Sequence, residues 1–332
     1  MQDFLIDMLE CPLCHDVLTW DITDRHGDRI EAAEVCCTDC GSIYPVREGI
    51  GIFLTPDLPR DDLWEQAESH LSMYLREHPE VEHQLMDMPV DTLAPVDQFF
   101  RALVLEERGE YTQAQIVSEL ASRRIYTPEY RACAVREIDY VIGQLLEITD
   151  PIVDLASGRG GLLEALARRL DSPIIVTDFS PRVLRRNRKW LESLNLYNRV
   201  SLLAFDARRT PFKNGVVKTL TTYLGLPNIE DADRLLHELR RIVSGIFLAI
   251  SYFLPQDDGV DAAAESSHVY SPLLFRDIAL ERFTTAGWQV EPANLCHGLA
   301  RPTPQGVLLE GAQIDGVPAV ETVLEWCVLA AH

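Results

Sequence analysis

The residues with the clearest chemical potential lie in one stretch near the middle of the chain, Ile152 to Gly161. An apolar run ends in Asp154, and the small residues Ala156, Gly158 and Gly160 follow before apolar residues return at helical spacing. This strand, turn and helix pattern lets a ligand approach the turn backbone beside a helix N-terminus. The Asp154 carboxylate can accept hydrogen bonds from a cationic group or a water molecule. The stretch therefore predicts the start of a nucleotide-type binding site.

Two later segments, PIIVTD and VSLLAFD, repeat the pattern of an apolar strand that ends in an acid. They end in Asp178 and Asp206, and the carboxyl ends of parallel strands form the sheet edge where ligands bind. We therefore expect both carboxylates to lie near Asp154. A nicotinamide dinucleotide site is a second interpretation, because Asp178 follows Gly158 by about 20 residues. That interpretation accounts neither for Asp154 before the turn nor for Asp206.

Four cysteines near the N-terminus stand in two pairs, each with a two-residue gap: Cys11, Cys14, Cys37 and Cys40. Two thiolates at i and i+3 converge on one ion, so two pairs supply the tetrahedral ligands of a structural zinc site. Gly41 follows the second pair, where such a turn needs a left-handed residue. Cys36 could replace Cys37, but only Cys37 keeps the two-residue gap. Zinc is the preferred interpretation; a fold that has lost its metal and a redox pair are the alternatives.

Composition limits the classes of partner. The chain has 332 residues, a formal net charge of -22 and a charged fraction of 25%. Such a surface repels phosphate backbones, which disfavours a large footprint on nucleic acid or on an anionic membrane. Two basic clusters, 182–189 and 234–241, are expected on solvated outer faces of helices. The sequence has neither a secretory signal pattern nor an apolar run of about 18 residues, so we expect a cytoplasmic protein.

Strand and helix patterns alternate after the glycine turn, and strands come last. This order predicts an α/β fold with a doubly wound, mostly parallel sheet and an antiparallel edge. The segment 306–314 is interpreted as an added strand or hairpin arm. Before the turn the pattern is mostly helical with breaks at prolines, and the candidate helices are 61–78, 95–107, 111–123 and 127–147. The predicted domains are 1–58, 59–134 and 135–332.

The helical region 59–134 is interpreted as a connector. It would pack on the N-terminal module, residues 1–58, and form a lid over the site. Its aromatic residues are expected mainly in the core: Phe99, Phe100, Tyr126 and Tyr130. Tyr126 and Tyr130 are the stronger candidates for substrate contact, because the segment before the first strand commonly lies over the ligand in such folds.

The order and spacing of the motifs in residues 135–332 resemble those of class I S-adenosylmethionine-dependent methyltransferases. DLASGRG resembles the first motif of that family, VTDFS the second and AFDARRTPF the third. The resemblance implies a Rossmann-like sheet of seven strands. Ala156 stands where the family motif has its first glycine, a departure that we expect to matter little because it adds one methyl group.

Carried over residue by residue, the resemblance implies the contacts of S-adenosylmethionine. Asp154 and the turn from Ala156 to Gly160, with Ser157 and Gly158, would hold the methionine portion. Asp178 would accept hydrogen bonds from both ribose hydroxyls, and Phe179 would pack on the adenine. The alternative interpretation of Asp178 and Asp206 is that they are helix-capping carboxylates or solvated carboxylates in turns.

For the remainder of the cofactor, the resemblance implies that Asp206 accepts a hydrogen bond from the adenine amino group. The amide of Ala207 would serve the adenine ring. Tyr223, with Leu224 and Gly225, would lie beside the sulfonium and the methyl acceptor, although plain packing is an equal interpretation of Tyr223.

The cysteine pairs and the following YPVREGI resemble the small zinc-ribbon family whose members activate tRNA and protein methyltransferases. This resemblance covers about residues 4 to 55. In that family the ribbon does no chemistry itself; it shields an apolar face of a methyltransferase or helps to shape its substrate entrance.

Methyl transfer from a sulfonium is an in-line displacement, so positioning of the acceptor can suffice and no base is obligatory. If the acceptor must lose a proton, His268 and Tyr270 are candidates, with Tyr252 and His237 weaker. We assign no catalytic base.

A small-molecule acceptor is the preferred prediction. RNA is an alternative, because a ribbon fused to this fold also resembles the zinc-containing ribosomal-RNA guanine methyltransferases, but the acidic surface fits RNA poorly. A protein acceptor and a non-catalytic scaffold that binds S-adenosylmethionine are further alternatives. The sequence does not indicate the oligomeric state.

Overall fold

The computed structural model describes residues 1–57, 71–255, 271–312, 314 and 318–332. The chain divides into two compact units. The first unit comprises residues 1–61, 137–295 and 326–332, and the second comprises 62–136 and 296–325. The glycine turn, the acids that end the strands and the cysteine pairs all belong to the first unit.

Within the described residues, eleven strands form one sheet in the order β1-β2-β3-β4-β7-β6-β5-β8-β9-β11-β10. Their bounds are β1 (Leu18–His26), β2 (Arg29–Cys37), β3 (Ile43–Arg47), β4 (Ile50–Ile52), β5 (Ile152–Leu155), β6 (Ile174–Asp178), β7 (Val200–Ala204), β8 (Val217–Tyr223), β9 (Val243–Phe253), β10 (Val290–Ala300) and β11 (Thr322–Ala331). Every residue of β5, β6 and β7 is buried, as expected for parallel strands that are covered on both faces.

The predicted doubly wound sheet is confirmed. Strands β7, β6, β5, β8 and β9 are parallel neighbours. Gln289 and His332 exchange both main-chain hydrogen bonds, at 3.0 and 2.9 Å, which makes the β10 and β11 edge antiparallel. Strand β5 lies between β6 and β8, so the connections diverge at its carboxyl end and open a crevice there.

The N-terminal strands extend this sheet, whereas the sequence predicted a separate module. Strand β4 pairs in parallel with β7, with Ile50 opposite Leu202. The pairing covers an edge of β7 that would otherwise expose unpaired main-chain groups. Gly51 makes it possible, because an added Cβ would lie 2.8 Å from the Leu203 side chain and 2.9 Å from Phe53.

Nine α-helices lie wholly within the described residues: α1 (Leu5–Met8), α2 (Pro79–Asp87), α3 (Pro95–Glu107), α4 (Tyr111–Ile125), α5 (Pro128–Leu145), α6 (Leu163–Arg169), α7 (Pro181–Ser193), α8 (Ala232–Ile242) and α9 (Arg276–Thr285). The prediction for α3 is confirmed, and those for α4 and α5 differ by two residues or fewer. The predicted helix 61–78 begins outside the described residues, and its part 71–77 is helical. Helix α2 was missed because Pro79 was interpreted as a break, although proline fits the first helical turn.

The prediction of a strand over 306–314 is wrong for the described residues, which form turns. The main-chain N–H groups of Val307 and Leu308 donate to Oδ2 of Asp97 at 3.1 Å, and that of Leu309 donates to Oδ1 at 3.2 Å. Asp97 is fully buried. A carboxylate in the second unit therefore satisfies the donors that a strand would have offered to a neighbour.

The two basic clusters lie on α7 and α8, but they are not simply solvated faces. Arg188 of α7 pairs with Glu31 of β2 at 3.0 Å, and Arg241 of α8 pairs with Glu10 at 2.8 Å. These four side chains are less than one quarter exposed. The clusters thus contribute cations that attach the N-terminal segment, residues 1–57, to the rest of the first unit.

Candidate cofactor site and cysteine cluster

The cysteine cluster forms as the spacing predicted. The sulfur atoms of Cys11, Cys14, Cys37 and Cys40 all lie within 4.8 Å of one another. The Cys11 and Cys40 sulfurs are 3.6 Å apart, and those of Cys14 and Cys37 are 3.3 Å apart. Around tetrahedral zinc, with Zn–S bonds of about 2.3 Å, the sulfur atoms lie about 3.8 Å from one another. The four sulfur atoms would need to move only slightly to bind the ion.

The two cysteine turns are built alike. Gly41 has the predicted left-handed backbone, with φ of 70°, and His15 has φ of 62° at the equivalent place after the first pair. The Tyr44 hydroxyl lies 3.3 Å from the Cys11 sulfur. Cys36 is outside the cluster, with its sulfur 4.0 Å from a carboxylate oxygen of Glu34, because successive side chains of a strand point to opposite faces.

The glycine turn after β5 depends on left-handed backbone. Gly158 and Gly160 have φ of 49° and 81°, and Ala156 has φ of 50°. For a residue with a Cβ this conformation costs about 1 kcal/mol. The added methyl group was expected to matter little, and that stays a prediction; the backbone at Ala156 nevertheless has the strained conformation that occurs at ligand-binding turns.

The second acid is joined directly to this turn. Oδ2 of Asp178 accepts a hydrogen bond from the Gly158 N–H at 2.9 Å, and Oδ1 accepts one from the Ser180 N–H at 3.0 Å. Asp178 is 8% exposed. An added Cβ on Gly158 would meet only the Ala156 carbonyl oxygen, at 4.0 Å. The turn therefore leaves room for a ligand beside a buried carboxylate.

Asp154 is almost completely buried, and Oδ1 accepts a hydrogen bond from the Thr221 hydroxyl at 2.9 Å. Burial raises the pKa of Asp154 to about 6, although hydrogen bonding by Ser157 and Thr221 acts to lower it. Ser157 also donates to the Asp154 carbonyl oxygen at 3.0 Å. The carboxyl group is thus positioned to become ionised when a cation binds beside it.

The third acid is engaged by a basic residue that the sequence interpretation overlooked. Arg208 donates from Nε and Nη2 to the two carboxylate oxygens of Asp206, at 3.0 and 2.7 Å. Its main-chain N–H adds a third bond at 2.9 Å. Asp206 and Ala207 are both at least nine-tenths buried. The signal was present in the sequence, since the third motif reads ARR directly after the acid.

The loop after β8 closes against the glycine turn. An added Cβ on Gly161 would lie 3.2 Å from the Tyr223 ring, and one on Gly225 would lie 2.9 Å from the Ala156 Cβ. Leu224 has φ of 54°, a strained value like that of Ala156. Burial around its hydroxyl raises the pKa of Tyr223 to about 12, so this phenol stays protonated and can donate a hydrogen bond.

Asn187 of α7 also supports the glycine turn and was not predicted. Its Nδ2 donates to the Gly158 carbonyl oxygen at 2.9 Å, and its side chain is buried. It lies among Val183, Leu184 and Leu191 on the buried face of the helix. One polar residue on an otherwise apolar face is the signal that would have found it.

The remaining candidates are less directly placed. His268 and Tyr270 lie outside the described residues. His237 is exposed, with Nδ1 2.7 Å from the Asp233 carbonyl oxygen, and the Tyr252 ring packs at 5.3 Å from that of Trp326. In the second unit, Tyr126 and Tyr130 stack at 4.8 Å, and their contact with a substrate stays a prediction.

The strand order, the glycine turn and the acids coincide with a sequence match. Residues 152–244 match the family described as the methyltransferase domain. This segment is therefore similar to a methyltransferase domain. The matched range contains Asp154, Asp178 and Asp206.

Curated relatives match a similar share of the chain. The ubiquinone/menaquinone biosynthesis C-methyltransferase UbiE of Rickettsia prowazekii is 25% identical over 121 residues, which are 34% of this chain and 49% of the relative. The demethylmenaquinone methyltransferase of Thermobifida fusca is 32% identical over 113 residues, 34% of this chain and 44% of the relative. The chain thus spans less than half of the length of these relatives.

Among solved structures, the YcgJ protein of Bacillus subtilis has a TM-score of 0.47 and 13% identity, over 59% of this chain and 97% of that protein. None of the helices in the described ranges is long and apolar enough to cross a lipid bilayer.

Proposed function

We propose that the protein binds S-adenosylmethionine in the first unit and transfers its methyl group to a small molecule. The observation that carries the proposal is the joining of the buried Asp178 carboxylate to the strained glycine turn through the Gly158 N–H. A buried carboxylate beside an open turn suits a ribose with two neighbouring hydroxyls. The methyltransferase-domain match over 152–244 supports the same cofactor.

The proposed contacts follow the strand ends. Asp154 and the turn from Ala156 through Ser157 to Gly160 hold the methionine portion, and Asp178 binds the ribose while Phe179 packs on the adenine. Bound cofactor supplies an electrophilic methyl group on sulfur. The chain's own contribution is to orient that group and exclude water from it.

The adenine and acceptor ends complete the proposed site. Asp206 accepts a hydrogen bond from the adenine amino group, and the Ala207 amide contacts the ring. The guanidinium of Arg208 holds the Asp206 carboxylate in place. Tyr223 lies beside the methyl group, where its protonated hydroxyl can orient an acceptor oxygen.

A small acceptor is favoured over RNA. The formal charge of -22 opposes the approach of a phosphate backbone, and the basic residues Arg188 and Arg241 are already engaged by Glu31 and Glu10. The relatives from Rickettsia prowazekii and Thermobifida fusca carry names of quinone methyltransferases. We therefore propose a hydroxylated aromatic or quinone-like acceptor as the first class to test.

The function is tested by calorimetric titration of the full chain with S-adenosylhomocysteine and, separately, with NAD. We expect micromolar binding of the first ligand and none of the second. Quinols and catechols are then assayed with S-adenosylmethionine carrying a labelled methyl group. Binding of NAD without S-adenosylhomocysteine would overturn the proposal, whereas cofactor binding without transfer to any acceptor class would favour a scaffold.

The affinity for S-adenosylhomocysteine is expected to rise about tenfold from pH 5 to pH 7. The pKa of Asp154 is raised from 3.8 to about 6, so the unliganded protein keeps this proton and loses stability as the pH rises from about 4 to 6. A cationic amino group beside Asp154 favours the ionised form, and binding then releases a proton. Calorimetry in two buffers of different ionisation enthalpy measures that release. Asp154→Asn should abolish it, and an unchanged release in this variant would contradict the assignment.

We also propose that the cysteine cluster holds one structural zinc ion in a ribbon formed by residues 1–58. The four sulfurs suit a tetrahedral soft-ligand site. The ion would fix the N-terminal segment, from which Glu10 donates its N–H to the Pro211 carbonyl oxygen at 2.8 Å. This contact lies five residues beyond Asp206, so the ribbon supports the third motif.

A further inference from the structure

Three neighbouring parallel strands each lead to a buried polar side chain at the same edge of the sheet. Strand β7 lies between β4 and β6. Asp206 follows β7 by two residues, Ser180 follows β6 by two, and Thr55 follows β4 by three. All three side chains are at least nine-tenths buried. The carboxyl edge of parallel strands is the place where such groups meet a ligand.

Two of these groups lack a partner. In the part of the chain that the structure describes, Thr55 Oγ1 and Ser180 Oγ are buried without any hydrogen bond. A buried hydroxyl without a partner costs about 1–3 kcal/mol, and such atoms in native proteins call for an explanation. Ser180 directly precedes α7, where a serine hydroxyl usually caps the helix, yet it makes no capping bond. The Ser180 hydroxyl therefore does not bond to the N–H groups of the first turn of α7, which are the usual partners of a capping serine.

The position of Thr55 is fixed by contacts with the loop after β7. The Phe53 N–H donates to the Ala204 carbonyl oxygen at 2.7 Å, which continues the pairing of β4 with β7. Two residues after Thr55, Asp57 pairs with Arg209 at 2.5 Å. The pKa of Asp57 is lowered mainly by its pairing with Arg209, and the Thr55 hydroxyl forms no hydrogen bond.

We propose that the hydroxyls of Thr55 and Ser180 hydrogen-bond to the adenine ring of the cofactor, on either side of Asp206. The edge of adenine carries an amino donor and several ring nitrogens that accept hydrogen bonds. A carboxylate can take the donor, and two hydroxyls can serve the ring nitrogens. This inference rests on the proposed function. It makes the N-terminal module a direct contributor of a cofactor-binding residue through Thr55.

The test uses two near-isosteric variants of the full chain, Thr55→Val and Ser180→Ala. Each is expected to weaken binding of S-adenosylhomocysteine about tenfold, the equivalent of about 1.4 kcal/mol, as measured by calorimetry. Each should also leave the melting temperature of the unliganded protein unchanged or raise it by about 2 °C, because an unsatisfied buried hydroxyl is removed. If the hydroxyl had a purely structural role, its removal would lower both the affinity and the melting temperature.

Each variant has a matched control elsewhere in the first unit. Thr23→Val alters an exposed hydroxyl of β1, and Ser193→Ala alters an exposed hydroxyl at the far end of α7. Both should keep the affinity of the unchanged protein within twofold. Thr55→Val is also introduced into the Asp57→Asn protein. If the partner of the hydroxyl is the ligand and not Asp57, binding should weaken tenfold relative to Asp57→Asn alone.

The outcomes separate this inference from the proposed function. If the unchanged protein fails to bind S-adenosylhomocysteine, the proposed function fails. If it binds, and Thr55→Val and Ser180→Ala bind equally well, the adenine contacts are overturned while the cofactor assignment stands. A loss of affinity accompanied by a fall in melting temperature also overturns them, because it indicates a structural role.

Discussion

Replacement of Asp178 by alanine is expected to weaken binding of S-adenosylhomocysteine about 100-fold. The carboxylate is proposed to accept hydrogen bonds from both ribose hydroxyls. Each hydrogen bond to a charged group contributes about 1.5 kcal/mol or more. The variant also loses the bonds from the N–H groups of Gly158 and Ser180, which hold the glycine turn. Calorimetric titration measures the affinity, and thermal unfolding measures the expected loss of stability, about 2 kcal/mol.

Two comparisons make this result specific. Asp178→Asn keeps one carbonyl oxygen and should lose less affinity than alanine, although its amide group faces an N–H donor that it cannot satisfy. Asp171→Ala alters an exposed aspartate that precedes β6 and should have no effect. An Asp178→Ala protein that keeps the full affinity would remove the ribose assignment.

The second large effect is expected at the cysteine cluster. Cys37→Ser should reduce the zinc content from one ion per chain to nearly none and lower the melting temperature by more than about 10 °C. Removal of one thiolate leaves three ligands, and the binding energy of the ion contributes directly to folding. Elemental analysis and thermal unfolding measure the two quantities.

The neighbouring residue provides the control. Cys36→Ser alters a thiol of the same strand that lies outside the cluster, so both the zinc content and the melting temperature should match those of the unchanged protein. If Cys36→Ser lost zinc and Cys37→Ser kept it, the ligand assignment would be wrong. If neither variant nor the unchanged protein carried zinc, the metal proposal would fail.

The N-terminal module connects these two effects. Its strands continue the central sheet through β4 and β7, and Glu10 contacts both Arg241 and the main chain at Pro211. Loss of the metal is therefore expected to disturb the third motif as well as the ribbon. Titration of the Cys37→Ser protein with S-adenosylhomocysteine would show this as a loss of affinity.

The sequence by itself determined the chemistry at the strand ends. Asp154, Asp178 and Asp206 could be placed because each ends a short apolar run, and strand direction then brings them to one edge. The four cysteines could be grouped because a two-residue gap is a local geometric requirement. Helix α3 was predicted with its observed bounds because Pro95 and the apolar spacing after it are local signals.

The tertiary structure decided everything that depends on distant residues. The pairing of β4 with β7 joins Ile50 to Leu202, a contact across about 150 residues that no local pattern encodes. A turn over 307–311 takes the place of the strand predicted over 306–314, because the buried Asp97 carboxylate accepts hydrogen bonds from its main-chain N–H groups. Arg208 on Asp206 and the unpartnered hydroxyl of Thr55 likewise became visible only after folding. Periodicity and spacing report neighbours along the chain, whereas burial and pairing across a sheet depend on which segments meet.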